Sequence, residues 1–199
     1  AGGRRAVVGE FPVGDAHALI VALRTSEPAA QKAAKAAIER ADPAMIESLL
    51  RFGRNPRRRD SSRHILVMMG RKAVDPLFDF LGDPELGFQA GGALFEILGP
   101  GDEGRIPALL ECARKLPEVK NYCLQATFKL SGRKASPYVQ MLATGLTDAD
   151  AVVRQYCAAS LARVGKPAAA AAAALKKSAK DPDAGVREEA RKALRRIGA

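Results

Sequence analysis

Asp181-Pro182-Asp183-Ala184-Gly185-Val186-Arg187-Glu188-Glu189-Ala190-Arg191-Lys192-Ala193-Leu194-Arg195-Arg196-Ile197-Gly198 reads as one complete amphipathic helix with both ends specified. Val186, Ala190, Leu194 and Ile197 recur at helical spacing and form one apolar stripe. Asp181 is placed to cap the first free N–H groups, and Pro182 suits a first turn, where its missing N–H has no partner to lose. Arg195 and Arg196 fall where the helix dipole favours cations, and Gly198 permits a left-handed stop. A helix of this kind cannot bury its stripe alone.

The pattern recurs one unit upstream. Asp148-Ala149-Asp150 opens it, Val153-Arg154 matches Val186-Arg187, Leu161 matches Leu194, and Val164-Gly165 matches Ile197-Gly198. Stop glycines fall at 198, 165, 132 and 99, a constant step of 33 residues, and Gly70 follows after a step of 29. Phe128 holds the Leu194 position, and Leu94 lies one residue before it in the unit ending at Gly99. A fixed period of this size with two helices per unit predicts an all-α solenoid of about five to six helical hairpins.

The string Asp-Pro-Asp-x-x-Val-Arg-x-x-Ala-x-x-Ala-Leu-x-x-Ile-Gly at 181–198 resembles the HEAT-like repeat of the phycobilisome-lyase type, and the unit before it repeats most of the string. The resemblance implies a right-handed solenoid. It also implies a ladder in which Asp148, Asp181, Arg154 and Arg187 tie adjacent units, with Lys120-Asn121 departing from the pattern. It says little about function, because such repeats serve unrelated tasks.

Residues 1–13, with Gly2, Gly3, Gly9 and Pro12, read as a tail or linker, and residues 14–199 as the repeat domain. The first helices of the units are expected near 28–41, 57–70, 84–99, 118–132, 149–165 and 182–198. A further helix from the Asp15 cap to Arg24 and a short one after Asp42-Pro43 make a degenerate first region. Second helices are expected to open near Pro76, Pro107, Pro137 and Pro167 and to line the concave face. The all-alanine run 168–174 has strong helix propensity but buries little area per residue.

Catalytic patterns are weak. His17 and His64 lie in different units and neither precedes a Glu, which disfavours the iron-binding His-Glu pairs of deoxyhypusine hydroxylase, another HEAT-like protein. Cys112, Cys123 and Cys157 form no Cys-x-x-Cys pair and read as small buried residues of a reducing compartment, which places the chain in the cytoplasm. The Gly99–Gly104 run lacks the Lys-Ser/Thr of a phosphate loop and reads as a turn. The chain has no Trp, which disfavours the aromatic groove of HEAT-like DNA glycosylases; bilin lyase activity rests only on the repeat's family name. No catalytic residue, metal or cofactor is expected, and no membrane span is visible.

Charge is the stronger signal. The net charge is +10, and the window from Arg51 to Lys72 holds eight basic residues against Asp60 alone. Arg54, Arg57, Arg58, Arg59 and Arg63 lie within ten residues. Arg71 and Lys72, Arg133 and Lys134, and Lys166 each follow a stop glycine, so a solenoid would align them along one edge. Capping and dipole preferences alone also place cations there. The reading is a non-enzymatic scaffold or adaptor that binds a protein partner through these residues, the partner being acidic. The alternative is a nucleic-acid-binding protein that tracks phosphates with the same cations.

Overall fold

The computed structural model describes residues 15–40 and 42–199. The expected tail, 1–13, lies outside the described residues, as does Ala41, the expected end of one helix. Twelve α-helices and no strand are found among the described residues. They pair in chain order as six hairpins, and the chain divides into two compact units, one ending at Ile97 and the other beginning at Leu98. The fold is of the all-α solenoid class.

The first unit contains α1 (Ala16–Arg24), α2 (Pro28–Arg40), α3 (Pro43–Phe52), α4 (Arg59–Met69), α5 (Val74–Asp79) and α6 (Gly87–Ile97). Within it α2, α4 and α6 pack in series, as do α1, α3 and α5. That arrangement makes two layers with the core between them. Leu19, Ile46, Leu49, Leu50, Leu66, Leu77 and Leu94 are almost wholly excluded from solvent there. Each contributes roughly 1.5–3 kcal/mol by leaving water.

The second unit contains α7 (Ile106–Lys115), α8 (Lys120–Leu130), α9 (Val139–Gly145), α10 (Ala151–Val164), α11 (Ala172–Ser178) and α12 (Ala184–Ile197). Here α8, α10 and α12 pack in series over α7, α9 and α11. Ile106, Leu109, Leu110, Leu124, Leu142, Leu161 and Leu175 fill the space between the layers. The approach of α9 to α10 is close. A Cβ on Gly145 would overlap the Sγ of Cys157, which is itself fully buried.

Several local expectations are corrected. Asp183, not Asp181, caps α12: its carboxylate accepts from the Val186 N–H at 3.0 Å, and Pro182 precedes the helix. Asp150 caps α10 in the same way through the Val152 N–H. The stop glycines are also unequal. Gly198 is left-handed at φ 83°, whereas Gly132 sits at φ −95°, a conformation open to any residue. Pro107 lies in the first turn of α7, but Pro137 and Pro167 lie in 3-10 turns before α9 and α11. The alanine run is therefore split, 3-10 up to Ala171 and α-helical from Ala172.

Candidate functional site

The loops that open α10 and α12 are built alike. The Arg154 Nη1 donates to the carbonyls of Asp148 and Ala149 at 2.9 and 3.0 Å. The Arg187 Nη1 donates to those of Asp181 and Pro182 at 2.8 and 2.7 Å. Each arginine thus closes its own loop. Arg154 also reaches the next loop: its Nε and Nη2 donate to Oδ2 and Oδ1 of Asp181, both at 2.9 Å. This two-pronged bond holds the Asp181 carboxyl below the usual carboxylate range and raises the Arg154 guanidinium above its ordinary value.

At Asp148 the rung has different chemistry. Asn121 stands where the 33-residue frame would place an arginine. Asp148 instead accepts from the Arg114 Nε of α7 at 2.8 Å. Beside it the Lys120 Nζ donates to Asp150 at 2.5 Å and holds that carboxyl low. Arg114 takes at Asp148 the place that Arg154 takes at Asp181, and Lys120 adds an ion pair at Asp150. Arg114 was not legible as a ladder residue, because it lies on the other helix of its hairpin.

Residues 132–199 match the HEAT-repeat family. The chain is similar in fold to the crystal structure of an engineered protein, a Northeast Structural Genomics Consortium target. That likeness has 20% identity and a TM-score of 0.52, and covers 90% of this chain and 95% of that one. No curated protein matches the chain in sequence.

The basic residues of the 54–72 window and of the turns at 133–134 and 166 differ in their surroundings. Two are neutralised by acids: Arg54 pairs with Glu85 at 2.7 Å, and Arg63 with Glu96 at 3.6 Å. Arg63 has room because residue 92 is glycine; a Cβ there would lie 2.9 Å from its Nη2. Two are stacked on rings: Arg58 lies 4.6 Å from the Phe52 centroid and Arg59 lies 5.5 Å from that of Phe88. Lys72 donates to the Glu39 carbonyl at 2.7 Å, near the end of α2, and Arg71 is exposed. Arg57, Arg133, Lys134 and Lys166 are exposed and make no ion pair among the described residues. In the second unit the 3-10 turn holding Arg133 and Lys134 touches both the Glu103–Arg105 turn and the turn opened by Lys166.

A groove of about 380 Å³ lies on α8, α10 and α12, lined by Phe128, Ala159, Ala162, Arg163, Lys192 and Arg196. Arg163 stacks over the Phe128 ring at 4.7 Å, and Tyr156 meets the same ring edge-on with centroids 6.4 Å apart. In the sequence this site is marked only by the spacing of Arg163 and Arg196, which are one repeat apart.

His17 and His64 are both exposed. No group of His, Cys, Asp and Glu among the described residues has metal-binding geometry. The Gly99–Gly104 turn is closed by its own acids, with Asp102 accepting from Gly99 N–H and Glu103 from Gly101 N–H. No helix among the described residues is long and apolar enough to cross a membrane.

Proposed function

We propose that the chain is a non-enzymatic interaction scaffold whose first unit docks an acidic surface of a protein partner. The observation that carries this reading is the pair of arginine–phenylalanine stacks, Arg58 on Phe52 and Arg59 on Phe88, with Phe88 itself 43% exposed. Arginine and aromatic side chains are the residue types that concentrate binding energy at protein interfaces. Stacking fixes each guanidinium plane, so little freedom is lost when a carboxylate arrives. Arg57, exposed beside them, adds charge that steers an acidic partner. The free thiols Cys112, Cys123 and Cys157 fit a reducing compartment, and the cytoplasm is the location proposed.

A second reading, phosphate tracking along a nucleic acid, draws support from the exposed cations Arg57, Arg133, Lys134 and Lys166. It is weakened at Arg54 and Arg63, whose charges are already matched by Glu85 and Glu96.

The deciding experiment measures binding to a labelled duplex and a labelled single strand at about 50 and about 200 mM salt, beside an Arg57/Arg58/Arg59→Ala variant. Weak binding at both salts, unchanged in the variant, is expected. Tight binding that falls steeply with salt and is lost in the variant would replace the scaffold with the phosphate-tracking reading. Affinity capture with both proteins then identifies partners retained by the wild type and lost by the variant.

A further inference from the structure

We propose that the groove on α10 and α12 is a second, separate docking site, and that it binds an extended acidic peptide through Arg163 and Arg196. It shares no residue with the arginine cluster of the first unit and does not rest on that cluster's role.

Three cations, Arg163, Lys192 and Arg196, line the groove and no acid does. Lys192 is partly engaged, 3.4 Å from Glu189 on its own helix. Arg163 and Arg196 make no ion pair among the described residues. Both lie in the last turns of their helices, where the dipole favours a cation in any case. Dipole compensation does not account for the direction of Arg163, which lies across Phe128 of α8 rather than over its own last carbonyls. Ala159 and Ala162 form a low floor between the cations, so the groove stays open.

The ligand class follows from what the ring can offer. One face of Phe128 is covered by Arg163 and the ring packs against Tyr156, so the groove lacks the open aromatic platform on which single-stranded bases stack. What remains is a planar guanidinium held in place, which suits a carboxylate bound by two parallel hydrogen bonds. Spacing agrees. Packed helices lie roughly 8–10 Å apart, so arginines at equivalent positions of α10 and α12 are separated by about that distance. A polyproline II chain rises about 3.1 Å per residue with about three residues per turn, so carboxylates three residues apart share one face and span the two arginines.

The probe is a deca-glutamate peptide carrying a fluorophore and a photo-crosslinker, which charge repulsion keeps extended. Its affinity is measured at about 50 mM salt, and its crosslinks are located by mass spectrometry. Crosslinks on α8, α10 or α12 are expected, and Arg163→Gln/Arg196→Gln should abolish them and weaken binding to that site about tenfold. Arg163→Lys, which keeps the charge and loses the planar fork, should lose at least about threefold. Arg57→Gln/Arg58→Gln should leave these crosslinks in place, so failure here is distinguishable from failure of the first-unit reading. Arg196→Gln alone serves as a check should the double variant melt early. Crosslinks confined to other elements, or unchanged in both R163Q/R196Q and R196Q, would overturn the proposal. So would an oligothymidylate that displaces the peptide from these helices at a tenth of the concentration of unlabelled peptide, since the groove would then prefer phosphate.

Discussion

Arg154 of α10 grips both carboxylate oxygens of Asp181, and with side chains only 13% and 9% exposed the pair is largely shielded from water. The same guanidinium closes the loop before α10, so one side chain ties two successive units. Arg154→Ala should cost roughly 2–3 kcal/mol, because it leaves the Asp181 carboxylate with only the Asp183 N–H and frees two loop carbonyls. A double-mutant cycle with Asp181→Asn, read by urea unfolding, should return a coupling of about 1 kcal/mol or more. Additive effects would show that the bond contributes no coupling.

Acid should weaken the same region. Asp181 and Asp150 have carboxyls held below the usual range by Arg154 and Lys120, respectively. A depressed carboxylate stabilises the fold fully above its unfolded value, about 4, and the contribution disappears as pH falls through the lower folded value. In that window the unfolded chain binds more protons, so stability falls with pH. Thermal melts from neutral pH to about pH 3 should show this loss, and Asp181→Asn should have a shallower acid limb.

The Asp148 rung can be rebuilt in the chemistry of the next one. Arg114→Ala removes the partner of Asp148 and should cost about 1 kcal/mol, since the pair is part-exposed. Adding Asn121→Arg places an arginine at the position equivalent to Arg154 and should restore most of that loss. Absence of recovery in the double variant would show that the two rungs are not interchangeable.

Gly145 sets the distance between α9 and α10. Gly145→Ala drives a methyl into the Cys157 sulfur and should destabilise by about 2 kcal/mol or more, despite alanine's better helix propensity. Cys157→Ala removes the obstructing sulfur. In the Cys157→Ala background the cost of Gly145→Ala should drop to well under half, as measured by denaturant midpoint.

The cysteines should differ sharply in reactivity. A hydrogen bond from Cys123 holds the half-buried Cys112 thiol below the ordinary thiol range, and the same bond and burial push Cys123 up. Burial pushes Cys157 up to about 12. Thiolate is the reactive form. Iodoacetamide should therefore modify Cys112 first, at a rate that rises at lower pH than an ordinary thiol's. Cys123→Ala should shift that rise toward the ordinary thiol range. Equal labelling of all three cysteines in the folded protein would contradict the arrangement.

The hairpins were legible because stop glycines, caps and apolar stripes recur every 33 residues, and a local signal repeated several times outweighs its own ambiguity. Cap identity was less secure: Asp181 and Asp183 are chemically alike, and only packing shows that Asp181 is taken by Arg154 while Asp183 turns to the Val186 N–H. The states of the arginines could not be read at all. Glu85 and Glu96, which neutralise Arg54 and Arg63, lie about one repeat downstream, and nothing in the 54–63 run announces them. The α10–α12 groove joins residues on three helices, and only the spacing of Arg163 and Arg196 hints at it.

The like-for-like loops before α10 and α12 bear on how such a chain changes length. Excising residues 150–182 would join Ala149 to Asp183, bringing a complete cap and Arg187 behind Asp148 and Ala149, whose carbonyls now accept from Arg154. Asp148 would keep its bond to Arg114. Each seam already carries both halves of the loop bonding it needs, so a copied or lost repeat leaves that bonding intact. Recombination within the gene can therefore lengthen or shorten the array in whole modules.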